Sequence, residues 1–216
     1  MYINRQKYLD KLIRQKDKDI VKVITGIRRC GKSVLLFEIY YDYLLSVGVQ
    51  KENVIKINLE TKKNESLRNA DALYNAIVEQ IVNDDRYYIF IDEIQMVDGF
   101  EDVVNGLRVD YNCDVYITGS NSKLLSKDIN TKMRGRSIEI KVYPLSFAEF
   151  YDYYGGDKRQ CFNNYLMYGG LPYLVAEDDN KNKVEYLKMI CETVVGRDII
   201  ERHGIRQENL FEAVID

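Results

Sequence analysis

The sequence predicts an α/β fold: a parallel sheet with helices on its faces, followed by an all-α region. Three observations predict it. Ile20 to Phe37 reads as strand, glycine-rich loop and helix. Tyr87 to Gln95 is a run of bulky residues ending in Asp92 and Glu93, the pattern of a central strand buried on both faces. Beyond residue 145 no strand pattern convinces, and amphipathic stretches alternate with the Gly-Gly pairs at 155–156 and 169–170.

The first of these stretches carries the chemistry. Gly26-Ile27-Arg28-Arg29-Cys30-Gly31-Lys32-Ser33 matches the phosphate-loop pattern G-x-x-x-x-G-K-[ST]. Val21, Val23 and Ile24 before it suit a buried strand, and Leu35, Leu36 and Ile39 after it give a helix an apolar side. Gly26 and Gly31 permit backbone conformations in which successive N–H groups turn towards phosphates. The helix that starts at the phosphates adds the positive end of its dipole. Lys32 is expected to reach the β- and γ-phosphates, and the Ser33 hydroxyl to ligate Mg²⁺. Cys30 reads as a small residue that fits a tight loop; the alternative is a thiol that makes the loop sensitive to oxidation.

In chain order, residues 5–16 predict a short helix with Tyr8, Leu9, Leu12 and Ile13 on one face. It is expected to pack on the sheet; contact of Arg5 or Tyr8 with an adenine base is the alternative. Val54 to Leu59 predicts a strand, Glu60 to Arg68 a charged loop, and Asp71 to Val82 a helix. Phe100 to Val109 predicts a helix and Cys113 to Thr118 a strand. The tyrosine clusters, Tyr40, Tyr41 and Tyr43 among them, are expected to pack with their hydroxyls at the surface.

Asp92 and Glu93 close their strand at the edge where open α/β sheets bind ligands. Asp92 is placed to hold the Mg²⁺ shell, and Glu93 to orient and deprotonate an attacking water. Thr118, Ser120 and Asn121, at the end of the 113–118 strand, are candidates to lie beside the γ-phosphate, and Ser120 or Asn121 also suits the cap of a helix holding Leu124 and Leu125. Between Lys123 and Lys141, six basic side chains face two acidic ones. Arg134 or Arg136, just before the alternating strand Ser137 to Val142, could touch a γ-phosphate of its own or a neighbouring subunit; a solvated basic loop is the other reading. Ser146 and Glu149 form a capping box at the head of a helix over Phe147 to Tyr154. Helices are then expected over Arg159 to Tyr168, Val184 to Arg202 and Gln207 to Val214. The last runs to Asp216 without a stop signal, so the chain is expected to be the first part of a longer protein.

Composition narrows the class. At 46% hydrophobic and 30% charged, the chain suits a globular protein, and its net charge of −3 shows no global bias towards nucleic acid. No apolar stretch makes a convincing membrane span, and no leader is visible. Four scattered cysteines and one histidine, His203, argue against zinc or a disulfide framework and for a cytoplasmic setting. Guanine-reading N-K-x-D and the L-S-G-G-Q string of transport ATPases are absent. A small-molecule kinase has less need of a glutamate beside the strand-end aspartate, so the Asp92-Glu93 pair favours hydrolysis.

GIRRCGKS, YYIFIDEIQ, YITGSNSKLL, MRGRSIEIKVYPLSFAEF and YGGLP, in that order, resemble the prokaryotic predicted ATPases of AAA+ type, in which an AAA domain precedes a C-terminal domain of unknown function. The resemblance implies a P-loop NTPase of the ASCE class with a five-stranded parallel sheet, the Val115–Thr118 strand lying between the P-loop strand and the Asp92 strand. It implies ATP as the nucleotide, with Gly26, Ile27, Arg28, Arg29, Cys30, Gly31, Lys32, Ser33 and Val34 around it. It also implies Ser33 and Asp92 at Mg²⁺, Glu93 as the base, Ser120 as the polar sensor and Arg136 as the arginine. Residues 1–145 are the expected ATPase domain, and 146–216 a helical lid with the start of a C-terminal region. The expected function is ATP hydrolysis that moves the helical region. The alternative is a slow ATP-loaded switch that recruits a protein or DNA partner, and a homo-oligomer is possible in either case.

Overall fold

A computed structural model of the chain describes residues 2–119, 133 and 135–193. Ser120, Asn121, Arg134, His203, the helix expected around Leu124 and Leu125, and the final helix over 207–214 lie outside the described residues. The chain divides into two compact units, Met1–Glu149 and Phe150–Asp216.

The first unit is built on five strands: β1 (Val21–Thr25), β2 (Val54–Asn58), β3 (Tyr87–Asp92), β4 (Cys113–Gly119) and β5 (Ser137–Lys141). Their order is β2-β3-β4-β1-β5, and all four pairings are parallel. β4 thus lies between β1 and β3, as the family resemblance implies. Because every strand runs the same way, the loop after β1 and the acid pair after β3 emerge at one edge of the sheet.

Side chains alternate across that sheet, which sorts the core into two halves. On one face Val23, Ile57, Ile89 and Ile117 pack with Leu73, Ile77 and Leu107 from α3 (Ala70–Val78) and α4 (Phe100–Asp110). On the other, Ile24, Phe90 and Tyr116 pack with Leu12 of α1 (Gln6–Gln15) and with Leu36, Tyr40 and Leu44 of the helix that follows the phosphate loop. Covering both faces explains why β1, β3 and β4 are buried at every position. α3 starts at Ala70 because the Asn69 side chain accepts the Ala72 N–H at 3.1 Å, a cap just ahead of the expected start at Asp71.

Helix α2 follows the loop in three parts: Lys32–Val34, a π-helical turn over Leu35–Tyr40, and Tyr41–Ser46. Tyr40 corrects one expectation. Its hydroxyl is not at the surface but buried, 2.6 Å from the Tyr116 hydroxyl. Tyr116 in turn donates to Asp114 Oδ2 at 2.8 Å, and Asp114 Oδ1 meets the Lys22 ammonium. Lys22 and Asp114 are both 0% exposed. The Lys22 ammonium also donates to the Lys18 carbonyl at 2.8 Å, and Asp114 Oδ2 accepts the Asp17 N–H at 2.8 Å. A fully closed-in ion pair therefore sits near the strand starts, at the end of the sheet away from the loop.

Beyond Leu145 every described element is helical: α5 (Phe147–Tyr154), α6 (Lys158–Tyr168), α7 (Pro172–Ala176) and α8 (Asn180–Thr193). The capping box ahead of α5 forms in both directions. Ser146 N–H donates to Glu149 Oε2 at 2.8 Å, and Glu149 N–H to Ser146 Oγ at 3.3 Å. α7 was not anticipated; Pro172 at its first position suits a helix start. Within the second unit Phe150 packs edge-on against Tyr165 with ring centres 5.4 Å apart, and Tyr173 stacks on Tyr186 at 4.2 Å. No described helix is long and apolar enough to cross a membrane.

Candidate active site

The loop between β1 and α2 is shaped by close packing. Gly26 has φ 152°, and a Cβ there would lie 2.2 Å from the Val142 carbonyl oxygen and 2.9 Å from Cys30 Sγ. Gly31, at φ 95°, precedes the first turn of α2. Between them Arg29 adopts a left-handed conformation at φ 62°, which costs a side-chain-bearing residue ~1–2 kcal/mol. Lys32 is buried, and its ammonium donates to the Gly26 and Ile27 carbonyls at 3.1 and 3.0 Å. Ile27 and Val34 are exposed on either side of it.

Cys30 is 0% exposed and directs its thiol to the Val142 carbonyl at 3.5 Å. Burial pushes its pKa up, which disfavours the thiolate that oxidation requires. Both observations favour the reading as a small residue that fits a tight loop.

Asp92, the last residue of β3, gathers polar groups from three other elements. Its Oδ1 accepts from Ser33 Oγ at 3.0 Å and from Thr118 Oγ1, and its Oδ2 from Asn58 Nδ2 at 3.2 Å. Burial raises the Asp92 pKa, and the Thr118 and Ser33 hydroxyls offset part of that rise. Glu93 turns out of the strand at φ 56°, ψ 46°. Its N–H donates to Thr118 Oγ1 at 3.2 Å, and its carboxylate accepts from the Gln95 amide. Thr118 therefore donates to one acid and accepts from the backbone of the other.

The structure thus brings Lys32, Ser33, Asp92, Glu93 and Thr118 to one edge. Asn58 joins them, a residue the sequence did not single out. Its signal was available only with the strand order, since it lies opposite Asp92 in the β2–β3 register. Ser120 lies outside the described residues.

Arg136 corrects an expectation. In the β1–β5 register Val21 lies opposite Ser137, and the Arg136 carbonyl accepts the Val21 N–H at 2.8 Å. Arg136 is exposed at the end where strands begin, five residue steps or ~16 Å of strand from the position opposite Thr25 and the loop. It is not beside its own phosphate loop. Arg5 and Tyr8 are likewise not open to a base: both are buried, and their polar groups are engaged with Tyr143.

The donor set fits a nucleotide with Mg²⁺. The Ser33 hydroxyl and Asp92 carboxylate are adjacent hard oxygen donors. Among the described residues no group of three Asp, Glu, His or Cys side chains forms a metal cage. Two such donors suit Mg²⁺, which takes few protein oxygens and completes its shell with phosphates and water.

Comparison with known proteins agrees with this geometry. An uncharacterized protein of Haemophilus influenzae is 40% identical over 219 residues, covering 99% of this chain and 54% of its own length. An uncharacterized protein of Methanocaldococcus jannaschii is 34% identical over 202 residues, covering 86% and 43%. The chain therefore spans about half the length of the curated relatives it matches. Among solved structures, a Walker-type ATPase of Pyrococcus abyssi shares the fold with a TM-score of 0.58 at 17% identity, over 95% of this chain and 76% of that one. The Saccharomyces cerevisiae Hsp104:casein complex gives 0.52 at 18% identity, over 92% and 39%. Residues 18–151 match the AAA domain family, and with the phosphate loop, the Asp92 edge and the five-stranded parallel sheet in place, the chain belongs to that family.

Proposed function

We propose that the chain binds ATP with Mg²⁺ at the Gly26–Ser33 loop and hydrolyses it to drive a conformational change of the helical region after residue 145. One observation carries the reading. The Ser33 hydroxyl and the Asp92 carboxylate, 59 residues apart in sequence, meet at 3.0 Å beside the buried Lys32 ammonium.

In this reading the Lys32 ammonium exchanges its loop carbonyls for phosphate oxygens, and Ser33 and Asp92 would hold the metal. When bound, Mg²⁺ would neutralise charge on the phosphates. Glu93 takes the proton from the attacking water once its carboxylate leaves the Gln95 amide. Thr118 bonds the Asp92 carboxylate and the Glu93 backbone N–H, which holds the turn that carries the two acids. Arg136, far from its own loop, serves the nucleotide of a neighbouring copy of the chain.

Turnover tests the mechanism. Glu93→Gln is expected to lower ATP hydrolysis by about 10²–10⁴-fold with binding retained. Hydrolysis at the wild-type rate would sink the assignment. A second reading, a slow ATP-loaded switch that recruits a protein or DNA partner, is favoured by the Gln95 amide on the Glu93 carboxylate, which leaves the base engaged at rest. Single-turnover kinetics separate the two: a switch holds ATP unhydrolysed long after binding.

A further inference from the structure

Arg5, one residue ahead of α1, is a buried cation with no part in the chemistry above. Its side chain is 5% exposed, and its donors reach three separate parts of the first unit. Nη1 donates to the Cys30 carbonyl in the phosphate loop at 3.5 Å. Nη2 donates to the Tyr143 carbonyl, just after β5, at 2.5 Å. Nε lies 3.2 Å from Glu149 Oε1 in the first turn of α5, off the line of a hydrogen bond, so that contact is held by charge. The guanidinium also covers the Tyr8 ring at 4.6 Å, and the Tyr8 hydroxyl accepts the Tyr143 N–H at 3.1 Å.

Two further contacts join the same parts. The Cys30 thiol donates to the Val142 carbonyl, and that carbonyl fills the space a Cβ on Gly26 would need. The loop therefore packs against Val142 with no slack. Glu149 is engaged on both oxygens, since Oε2 accepts from Ser146 N–H and Oγ at 2.8 and 2.9 Å. A planar fork with five fixed donors suits the joining of three acceptors in different directions; a lysine ammonium does not reproduce it.

We propose that Arg5 is a positioning residue that makes the phosphate loop and the connector 142–149 move as one body. A displacement of the Cys30 peptide is thereby passed to the chain that runs into the helical region. Arg5 touches neither the acids nor the metal donors; it acts through backbone carbonyls and through Glu149.

The test is amide hydrogen exchange on the whole chain, first without nucleotide. Glu149→Gln is the principal variant, because glutamine also completes a capping box and so preserves the helix start. Glu149 has no bond to the loop, yet loop amides 26–33 are expected to exchange about tenfold faster in the variant, the loss expected from one charge-assisted contact. Arg5→Lys is expected to do the same, since it keeps the charge and loses the fork. Unchanged loop exchange in Glu149→Gln overturns the proposal, as does full recovery of wild-type exchange by Arg5→Lys. The second arm adds Mg²⁺ and a non-hydrolysable ATP analogue, and rests on the nucleotide reading above. Wild type is expected to gain protection in both 26–33 and 142–149, and Glu149→Gln in 26–33 alone. Protection confined to the loop in wild type also overturns the coupling. Failure of the analogue to bind counts against the nucleotide reading, while the first arm still decides for or against Arg5.

Discussion

The ion pair between Lys22 and Asp114 offers a demanding test of the fold, because both partners are sealed from water. Removing one partner of a buried pair costs ~3–5 kcal/mol, while replacing both with apolar groups is often neutral. The contacts here predict an asymmetry within that range. In Lys22→Met the Asp114 carboxylate keeps the Asp17 N–H and the Tyr116 hydroxyl, which places the loss at the low end, about 3 kcal/mol. In Asp114→Leu the ammonium keeps one described acceptor, the Lys18 carbonyl, which places the loss at the high end, about 5 kcal/mol. For a chain of this size 1 kcal/mol corresponds to ~2–4 °C in Tm. The single variants should therefore melt ~6–12 °C and ~10–20 °C lower, and the double variant well above the sum of the two losses. Thermal melts followed by circular dichroism, with urea titrations for the free energies, provide the cycle. Single losses under ~1 kcal/mol, or strict additivity in the double variant, would refute the picture of a dry, mutually dependent pair.

Three further outcomes follow from the site. Gly26→Ala puts a methyl group against a backbone oxygen at 2.2 Å, so either the loop or segment 142 must move; a loss of ~1–3 kcal/mol and at least tenfold weaker nucleotide binding are expected by melting and titration. Asp92→Asn is expected to stabilise the nucleotide-free protein at neutral pH. The wild-type carboxyl has a raised folded pKa, so over the window from the ordinary carboxylate value up to that pKa the folded state binds more protons than the unfolded one. Wild-type stability therefore falls as pH rises through the window. The asparagine variant lacks that fall, and identical pH–stability curves for the two would count against it. Glu93→Gly should melt higher by about 1 kcal/mol, since glycine accepts φ 56° without strain, while losing turnover; a lower Tm would show that the Glu93 side chain's contacts outweigh the strain.

The strands were legible because their burial is so complete. β3 and β4 are covered on both faces, so they read as apolar runs that no amphipathic helix imitates. The loop, the acid pair and the Ser146–Glu149 box were legible because each is local, a matter of residue types at short spacing. What escaped depended on pairing. Asn58 joins Asp92 only through the β2–β3 register, and Tyr40 joins Tyr116 across 76 residues. Lys22 sits between Val21 and Val23 and gives no sign of its partner 92 residues on. Arg136 was recoverable in principle. A residue that precedes a strand parallel to β1 must lie at the end opposite whatever follows β1, and parallel order alone would have moved it away from the loop.

The π turn over Leu35–Tyr40 has a consequence for insertions and deletions. A π turn closes over one more residue than an α turn, so removing any one of its residues permits an ordinary helix of the same axial reach. The helix would survive, and because the lost residue is the turn's extra one, the residues beyond the cut would keep nearly the same facing relative to Lys32 and Ser33. With Tyr40 itself retained, its contact with Tyr116 and the burial of Leu44 would persist. The same deletion in the regular stretch Tyr41–Ser46 has no spare residue to absorb it and would rotate everything beyond the cut by about 100°. The π turn is therefore where this helix best tolerates the loss of one residue.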